Sequence, residues 1–379
     1  MKIICVVGAR PNFIKISPLL DELRKHRGIE SLLVHTGQHY DEGMSKVFFK
    51  DLDLPSPDIF LGIGSGSHAN QTARIMIEFE KVLAGERPDL VVVVGDVNST
   101  LACSLVCAKM PVPVAHVEAG LRSYDRTMPE EINRVVTDAL SDYLFTSCED
   151  AGGNLVKEGV PRKKIFFTGN IMIDTLLKYR KKAGVRILNE LGLKKNGYAL
   201  LTLHRPSNVD EKNTFADIAD ILMEVGHRIP VIFPVHPRTR KNIELFGLAH
   251  YFRDCSGRGV HAAEKGVFLV PPMGYLDFLS LMQNSKFVIT DSGGIQEETT
   301  VLGIPCLTVR ENTERPVTVR EGTNIIVGRS KKKIREEVGK ILAGRVKKGK
   351  VPKLWDGKTA RRIVKAILKI KTRKEGART

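Results

Sequence analysis

Two carboxylates each close an apolar run. Asp96 follows Leu90-Val91-Val92-Val93-Val94-Gly95, and Glu118 follows the run that ends at Val117. A carboxylate set against apolar surroundings loses hydration, and a second one nearby raises one of the two pKa values, the arrangement that acid–base work uses. Capping a helix is the plainer use for Asp96, but Asn98, Ser99 and Thr100 already offer cap side chains there. Pro129-Glu130-Glu131-Ile132-Asn133-Arg134 opens another helix, in which Glu130 and Arg134 stand four apart and would meet as a surface ion pair.

Cationic side chains occupy the corresponding places elsewhere. Gly8-Ala9-Arg10-Pro11-Asn12-Phe13-Ile14-Lys15 is a turn running into a helix, with Pro11 suited to the first turn. It is no GxGxxG fingerprint, and Arg10 with Lys15 reads either as an anion site or as an ordinary turn. His204-Arg205 and His236-Pro237-Arg238 each follow an apolar run, which favours an anionic ligand over two purely structural histidines. The clearest local signal is Thr290-Asp291-Ser292-Gly293-Gly294-Ile295-Gln296-Glu297-Glu298. A hydroxyl and two glycines at a strand-to-helix junction leave backbone N–H groups and the positive end of a helix dipole facing outward, a phosphate cradle. Glu298, a turn further in, falls where a ribose would sit. Together these residues suggest a nucleoside diphosphate held by the C-terminal half and a second moiety worked on by the N-terminal half.

The elements that must position these residues alternate strand and helix throughout. Residues 3–7, 32–36, 90–94, 112–117, 143–146 and 165–168 read as strands of a first set. Residues 199–203, 231–235, 267–270, 287–290 and 305–309 read as strands of a second, with amphipathic stretches between them. Such alternation gives parallel sheets covered on both faces. The predicted fold class is therefore α/β, with two Rossmann-like domains facing each other across a cleft. The boundary falls in the polar, helical stretch 170–197. In open parallel sheets ligands bind beyond the carboxyl ends of the strands, where all the residues above lie.

Composition sets outer bounds. At 379 residues, 42% hydrophobic and 27% charged, the chain suits two globular domains. No apolar run reaches the roughly 20 residues a membrane span needs. Residues 1–7 carry a single charge and a short apolar run, without the longer apolar region of a secretory signal, so a soluble cytoplasmic protein is expected. The six cysteines form no CxxC pair and read as buried thiols, Cys103 and Cys107 sharing a helix face. Residues 331–379 hold 19 Lys or Arg against 4 Asp or Glu, net +15, whereas the first 330 hold 40 against 39. A nucleic-acid-binding tail is one reading of that segment; helix faces in solvent is the other, favoured because Trp355 is its lone aromatic residue.

Read together, these residues resemble the non-hydrolysing UDP-N-acetylglucosamine 2-epimerases. The matching runs are Gly8-Ala9-Arg10-Pro11 through Lys15, Thr36-Gly37-Gln38-His39, Gly95-Asp96, Val117-Glu118-Ala119-Gly120-Leu121-Arg122, Pro129-Glu130-Glu131 with Asn133-Arg134, Thr168-Gly169-Asn170, His204-Arg205, Asp291 through Glu298, and Thr313-Glu314-Arg315-Pro316. They occur in the family's order and span most of the chain. The resemblance implies a GT-B architecture, with residues 1–172 as the first domain, a helix at 358–372 packing back on it, and residues 173–357 as the UDP-binding domain. It also implies a homodimer acting on a UDP-sugar with no metal or nicotinamide cofactor; from composition and charge, neither a membrane nor a nucleic-acid partner is expected. Catalytic roles are implied for Asp96, Glu118, Glu130, His204, Arg10, Lys15 and Arg134. Contacts to UDP are implied for Ser292, Gly293, Gly294 and Glu298, with His236 and Arg315 beside them.

The implied reaction inverts C2 of a UDP-linked N-acetylhexosamine, UDP-GlcNAc to UDP-ManNAc, by anti elimination of UDP to a 2-acetamidoglucal and re-addition. Relatives acting on UDP-2,3-diacetamido sugars share the scaffold, and a hydrolysing 2-epimerase is a further alternative. After Gly8 this chain has Ala-Arg-Pro-Asn-Phe-Ile-Lys where the family commonly reads Thr-Arg-Pro-Glu-Ala-Ile-Lys. The segment Tyr40-Asp41-Glu42-Gly43-Met44-Ser45-Lys46 departs from members activated by substrate at a second site, with Lys46 near a glutamine associated with that site.

Overall fold

Strands that are apolar on both faces, such as Leu90–Val94, can sit only in the middle of a sheet covered on both sides. The computed structural model describes residues 1–38, 49–255 and 264–376, apart from the side chains of Arg10 and of residues 371–376. His39 and the segment from Tyr40 to Lys46 lie outside the described residues, as do residues 377–379 of the basic terminus. The chain divides into two units, Met1–Lys178 with Lys353–Thr379, and Tyr179–Pro352.

The first unit is built on a seven-stranded sheet of β1 (Lys2–Val7), β2 (Glu30–His35), β3 (Ile59–Phe60), β4 (Leu90–Val94), β5 (Val114–Ala119), β6 (Tyr143–Thr146) and β7 (Ile165–Phe167). Its order is β3-β2-β1-β4-β5-β6-β7 and its pairings are parallel. The second unit repeats the plan with β8 (Ala199–Thr202), β9 (Val231–Pro234), β10 (Arg253–Asp254), β11 (Val267–Val270), β12 (Phe287–Thr290), β13 (Cys306–Thr308) and β14 (Asn324–Ile326). Its order is β10-β11-β9-β8-β12-β13-β14, also parallel. The order reverses between β1 and β4 in one sheet and between β8 and β12 in the other. Those two switch points are where crossovers leave a crevice at the strand ends.

Burial follows the pattern. Val91, Val93, Ile75, Phe79 and Leu83 share one core of the first unit; Leu201, Phe215, Leu222, Phe233 and Ile289 share that of the second. The passage between units falls at Lys178/Tyr179, inside the helix Ile171–Tyr179, rather than at the expected 172/173. That helix is tied to the first unit because Thr175 Oγ1 donates to the Ile14 carbonyl at 2.6 Å and Lys178 pairs with Asp21 at 2.6 Å. The return to the first unit starts at Lys353, ahead of the expected 358, because Trp355 Nε1 donates to the Ser147 carbonyl at 2.9 Å. The helix Thr359–Gly376 then begins on the Asp174 carboxylate, which accepts from the N–H groups of Thr359 and Ala360 at 3.0 and 2.8 Å. It buries Ile363, Val364 and Ile367 in the first unit.

All six cysteines are free thiols, buried except for the half-buried Cys255. Among the described residues no helix is long and apolar enough to cross a membrane.

Candidate functional site

In the first unit the turn after β1 is held by Asn12, whose Oδ1 accepts from the N–H groups of Gly8 and Ala9 and whose Nδ2 donates to the Val94 carbonyl at 2.8 Å. The loops that leave β1 and β4 at the switch point are thereby fastened together. One turn into the helix Arg10–Leu23, the buried Lys15 ammonium reaches Glu118 Oε2 as an ion pair. Arg10 opens that helix.

Register explains how the carboxylates come to one edge. Val94 pairs with Val117, so Gly95-Asp96 and Glu118 leave neighbouring strands together. The ladder with β6 then slips between Val117 and Ala119, and Glu118 takes a left-handed backbone with φ of 75°. A bulge of this kind re-aims a side chain, and a non-glycine residue held at positive φ stores strain of about 1–3 kcal/mol. Gly95 is also left-handed, φ 71°, and a Cβ there would lie 3.0 Å from Lys15 Nζ and 3.6 Å from Glu118 Oε2. A side chain there would crowd the lysine end of that ion pair and would also have to take up a left-handed backbone that glycine adopts most readily.

Asp96, half-buried, pairs with Arg134 Nη2 at 2.5 Å, and its backbone carbonyl accepts from Asn133 Nδ2 at 2.9 Å. The expected pair of Glu130 with Arg134 is not formed. Arg134 turns inward to Asp96 and to Glu131, its neighbour at three residues' spacing. Glu131 is buried, and its carboxylate accepts from Ser123 N–H, Ser123 Oγ and Tyr124 N–H at 2.8–3.1 Å. Glu130 stays half-buried and makes no hydrogen bond or ion pair among the described residues. The cap expected from Asn98, Ser99 or Thr100 is not made either; Val97 holds the N-cap position without a side-chain bond. Asn98 is drawn instead to His68 and Gln71, and Thr100 Oγ1 donates to the Val94 carbonyl at 3.0 Å.

In the second unit Asp291, fully buried just beyond β12, organises the loop after β8. It accepts from the N–H groups of His204 and Arg205 at 3.0 and 2.9 Å and from Asn208 Nδ2 at 3.1 Å, while Oδ1 meets His204 Nδ1 at 2.9 Å. Burial opposes its charge, but His204 and these donors prevail and hold its pKa down to about 2. The His204 side chain, held at Nδ1, is otherwise exposed.

The helix Gly293–Leu302 follows, with Ser292 at its N-cap making no side-chain capping bond. Ser292 Oγ and the N–H groups of Gly293 and Gly294 take no partner among the described residues, the orphan donors expected of a helix start. Beneath them Gly293 packs on the Arg315–Glu314 ion pair so closely that a Cβ would collide with both. Arg315 is buried rather than presented, its guanidinium bonded to Glu297 at 3.0 Å and to Glu314 at 2.5 Å. Glu298 is buried too. Burial raises its pKa to about 7; the Tyr275 hydroxyl, donating to Oε1 at 2.7 Å, lowers it, and Glu297 adds to the rise. His236 is exposed and caps the helix Pro237–Leu245 through Nδ1, which accepts from Arg238 N–H at 3.3 Å.

Sequence reasoning missed Glu131 and the pair His116 and Asp138, which meet at 2.6 Å. His116 did carry a signal, being a lone ring nitrogen donor in an apolar strand run. Among the described residues no group of three or more His, Cys, Asp or Glu is placed to hold a metal ion.

A sequence model described as UDP-N-acetylglucosamine 2-epimerase matches residues 21–368. The chain is 44% identical over 373 residues to the UDP-N-acetylglucosamine 2-epimerase of Methanocaldococcus jannaschii, covering 97% of this chain and 99% of that protein. It is 41% identical over 350 residues to the UDP-2,3-diacetamido-2,3-dideoxy-D-glucuronate 2-epimerase of Pseudomonas aeruginosa, covering 90% and 94%. The crystal structure of the M. jannaschii enzyme in complex with UDP-GlcNAc and UDP superposes with a TM-score of 0.88 at 43% identity, covering 97% of this chain and 99% of that one.

Proposed function

The chain belongs to the UDP-N-acetylglucosamine 2-epimerase family, and on that premise we propose that it converts UDP-GlcNAc to UDP-ManNAc without hydrolysis. No carbonyl acidifies the C2 proton of an N-acetylhexosamine, so simple removal and return is too costly. The accessible route couples loss of that proton to departure of UDP from C1. The C1–O bond breaks, a C1=C2 double bond forms, and a 2-acetamidoglucal and UDP result. Protonation of C2 from the opposite face and attack by the UDP oxygen on C1 complete the inversion.

One observation carries this reading: two carboxylates leave one sheet edge, each with its own buried cation, Lys15 on Glu118 and Arg134 on Asp96. A cation at hydrogen-bond range fixes the aim of the carboxylate it holds. Asp96, Glu118 and Glu130 form the proton-handling set, each worth about 10²–10⁴-fold if it acts as a positioned acid or base. In the second unit His204, aimed by Asp291, and the free amides after Ser292 are assigned to stabilising charge on the departing diphosphate, and Arg10 keeps the catalytic role that the resemblance implies. Donors of that kind are worth about 3–4 kcal/mol each. Glu298 is assigned to the ribose, and His236 and Arg315 to the surroundings of the nucleotide, Arg315 from below the helix start. Water must be kept from the glycal and UDP until they recombine.

The similarity to a 2-epimerase of a diacetamido sugar supports a second substrate for the same machinery. Proton and phosphorus NMR of UDP-GlcNAc incubated with the protein tests the assignment. UDP-linked ManNAc with undiminished total UDP-sugar is the expected result. Free ManNAc and UDP would mean hydrolysis, and conversion only of a UDP-2,3-diacetamido sugar would move the substrate to the second reading.

A further inference from the structure

We propose that His116 is a positioning residue, held as an imidazolium, which fixes the backbone segments that bear Asp96 and Glu118. His116 lies in the middle of β5 and is fully buried. Neither ring nitrogen meets a group able to donate. Nδ1 is 2.6 Å from Asp138 Oδ1, and Nε2 is 2.8 Å from the carbonyl oxygen of Gly95. Asp138 in turn is surrounded by donors, because Oδ2 accepts from Gly120 N–H at 3.0 Å and from Arg122 Nη1 at 2.7 Å. A carboxylate placed among donors alone is anionic, and a ring placed between two acceptors must donate from both nitrogens. Burial works against the Asp138 charge, yet His116 and Arg122 outweigh it and its pKa stays below the ordinary carboxylate value. Arg122 also grips Glu158 through Nε and Nη2 at 2.8 and 2.6 Å, so two buried cations face two anions.

The mechanical consequence follows from where these bonds land. His116 and Gly120 flank Glu118, and Asp138 holds both, one with each oxygen. The bulge that turns Glu118 toward Lys15 is thus pinned at its two ends. Through Nε2 the same ring seizes the Gly95 carbonyl, the peptide group directly preceding Asp96, while Gly95 N–H donates to the Val117 carbonyl at 3.0 Å. Gly95 is therefore bound to β5 by both its polar groups. A histidine that only filled space in an apolar strand would have no need to join two left-handed loops. Positioning groups of this kind act through distance, and a displacement of about 1 Å at a reacting atom costs on the order of a hundredfold in rate.

The inference rests on the epimerase reading above, and its test separates the two. His116→Asn keeps a donor near the Nδ1 position and loses the bond to Gly95; His116→Gln keeps a donor near Nε2 and the grip on Gly95. His116→Asn is expected to lower kcat about a hundredfold, with KM for the UDP-sugar and affinity for UDP within a factor of about three, and His116→Gln to recover about tenfold of that loss. Equal kcat in the two variants, or a loss confined to KM, would overturn the proposal. Nitrogen-15 NMR of the unaltered protein supplies a readout that needs no variant to fold: both His116 ring nitrogens protonated supports the assignment, and a neutral ring overturns it. If the unaltered protein fails to epimerise any UDP-sugar, the epimerase reading falls, and the ring measurement still decides the state of His116.

Discussion

Asp291 and His204 are joined twice, by the Asp291 carboxylate accepting His204 N–H at 3.0 Å and by Oδ1 meeting the ring Nδ1 at 2.9 Å. The carboxylate therefore sets both the loop and the ring it carries. Its pKa of about 2 lies below the unfolded value of 3.8, so the folded chain releases this proton more readily. The stability this supplies is fully present above about pH 4, is lost as pH falls toward 2, and amounts to about 2 kcal/mol. Asp291→Asn is expected to lower the denaturation free energy at neutral pH by about that amount, to flatten its fall below pH 4, and to reduce kcat. Denaturant titrations at several pH values, with turnover measured alongside, check all three.

Two adjacent glutamates should answer substitution in opposite ways. Glu131 is buried and bonded to Arg134 and to the backbone of Ser123 and Tyr124, whereas Glu130 makes no such bond among the described residues. Removing one partner of a buried ion pair costs about 3–5 kcal/mol. Glu131→Gln is expected to lose stability on that scale. Glu130→Gln should leave stability within about 0.5 kcal/mol of the parent while lowering kcat about 10²–10⁴-fold. Thermal denaturation and steady-state rates separate the pair.

Glu298 gives the reverse pH signature. Burial lifts its pKa to about 7 from an unfolded value near 4.5, so between those values the folded chain keeps a proton the unfolded chain has lost. Stability then falls as pH rises through the window, by about 3 kcal/mol in all. Glu298→Gln should erase that dependence and make the chain more stable than its parent at pH 8. Denaturation of both proteins at pH 5 and pH 8 measures the difference.

The sheet plan was legible where strands are long and apolar: the runs at Leu90–Val94, Tyr143–Thr146 and Phe287–Thr290 stand out from their periodicity and flanks. The two-residue edge strands Ile59–Phe60 and Arg253–Asp254 were not, because pairing with a neighbour defines them rather than any pattern of their own. The helix His68–Glu86 shows only part of its buried face as a pattern: Ile75, Phe79 and Leu83 recur at helical spacing, but the buried position before them is the polar Gln71. The helix Pro129–Leu140 misleads more deeply. It buries Glu131, Asn133, Arg134, Thr137 and Asp138 and exposes Ile132 and Val135, so a reading by hydrophobic face turns it inside out. That inversion is why Glu130 looked like the partner of Arg134 and why Glu131 and Asp138 went unnoticed.

Asp96 is the most direct handle on the proton-transfer step. With Arg134 holding it at 2.5 Å, Asp96→Asn removes the charge while changing little volume. Affinity for UDP should stay within a factor of about three while kcat falls about 10²–10⁴-fold. Calorimetric titration with UDP and a coupled rate assay give the two numbers.

The decisive measurement is incubation of the unaltered protein with UDP-GlcNAc in D₂O, followed by proton NMR of the recovered UDP-ManNAc. Loss of the C2 proton to an enzyme carboxylate and return of another predicts deuterium at C2 of the product. UDP-ManNAc that forms with its original C2 hydrogen in place would contradict the account.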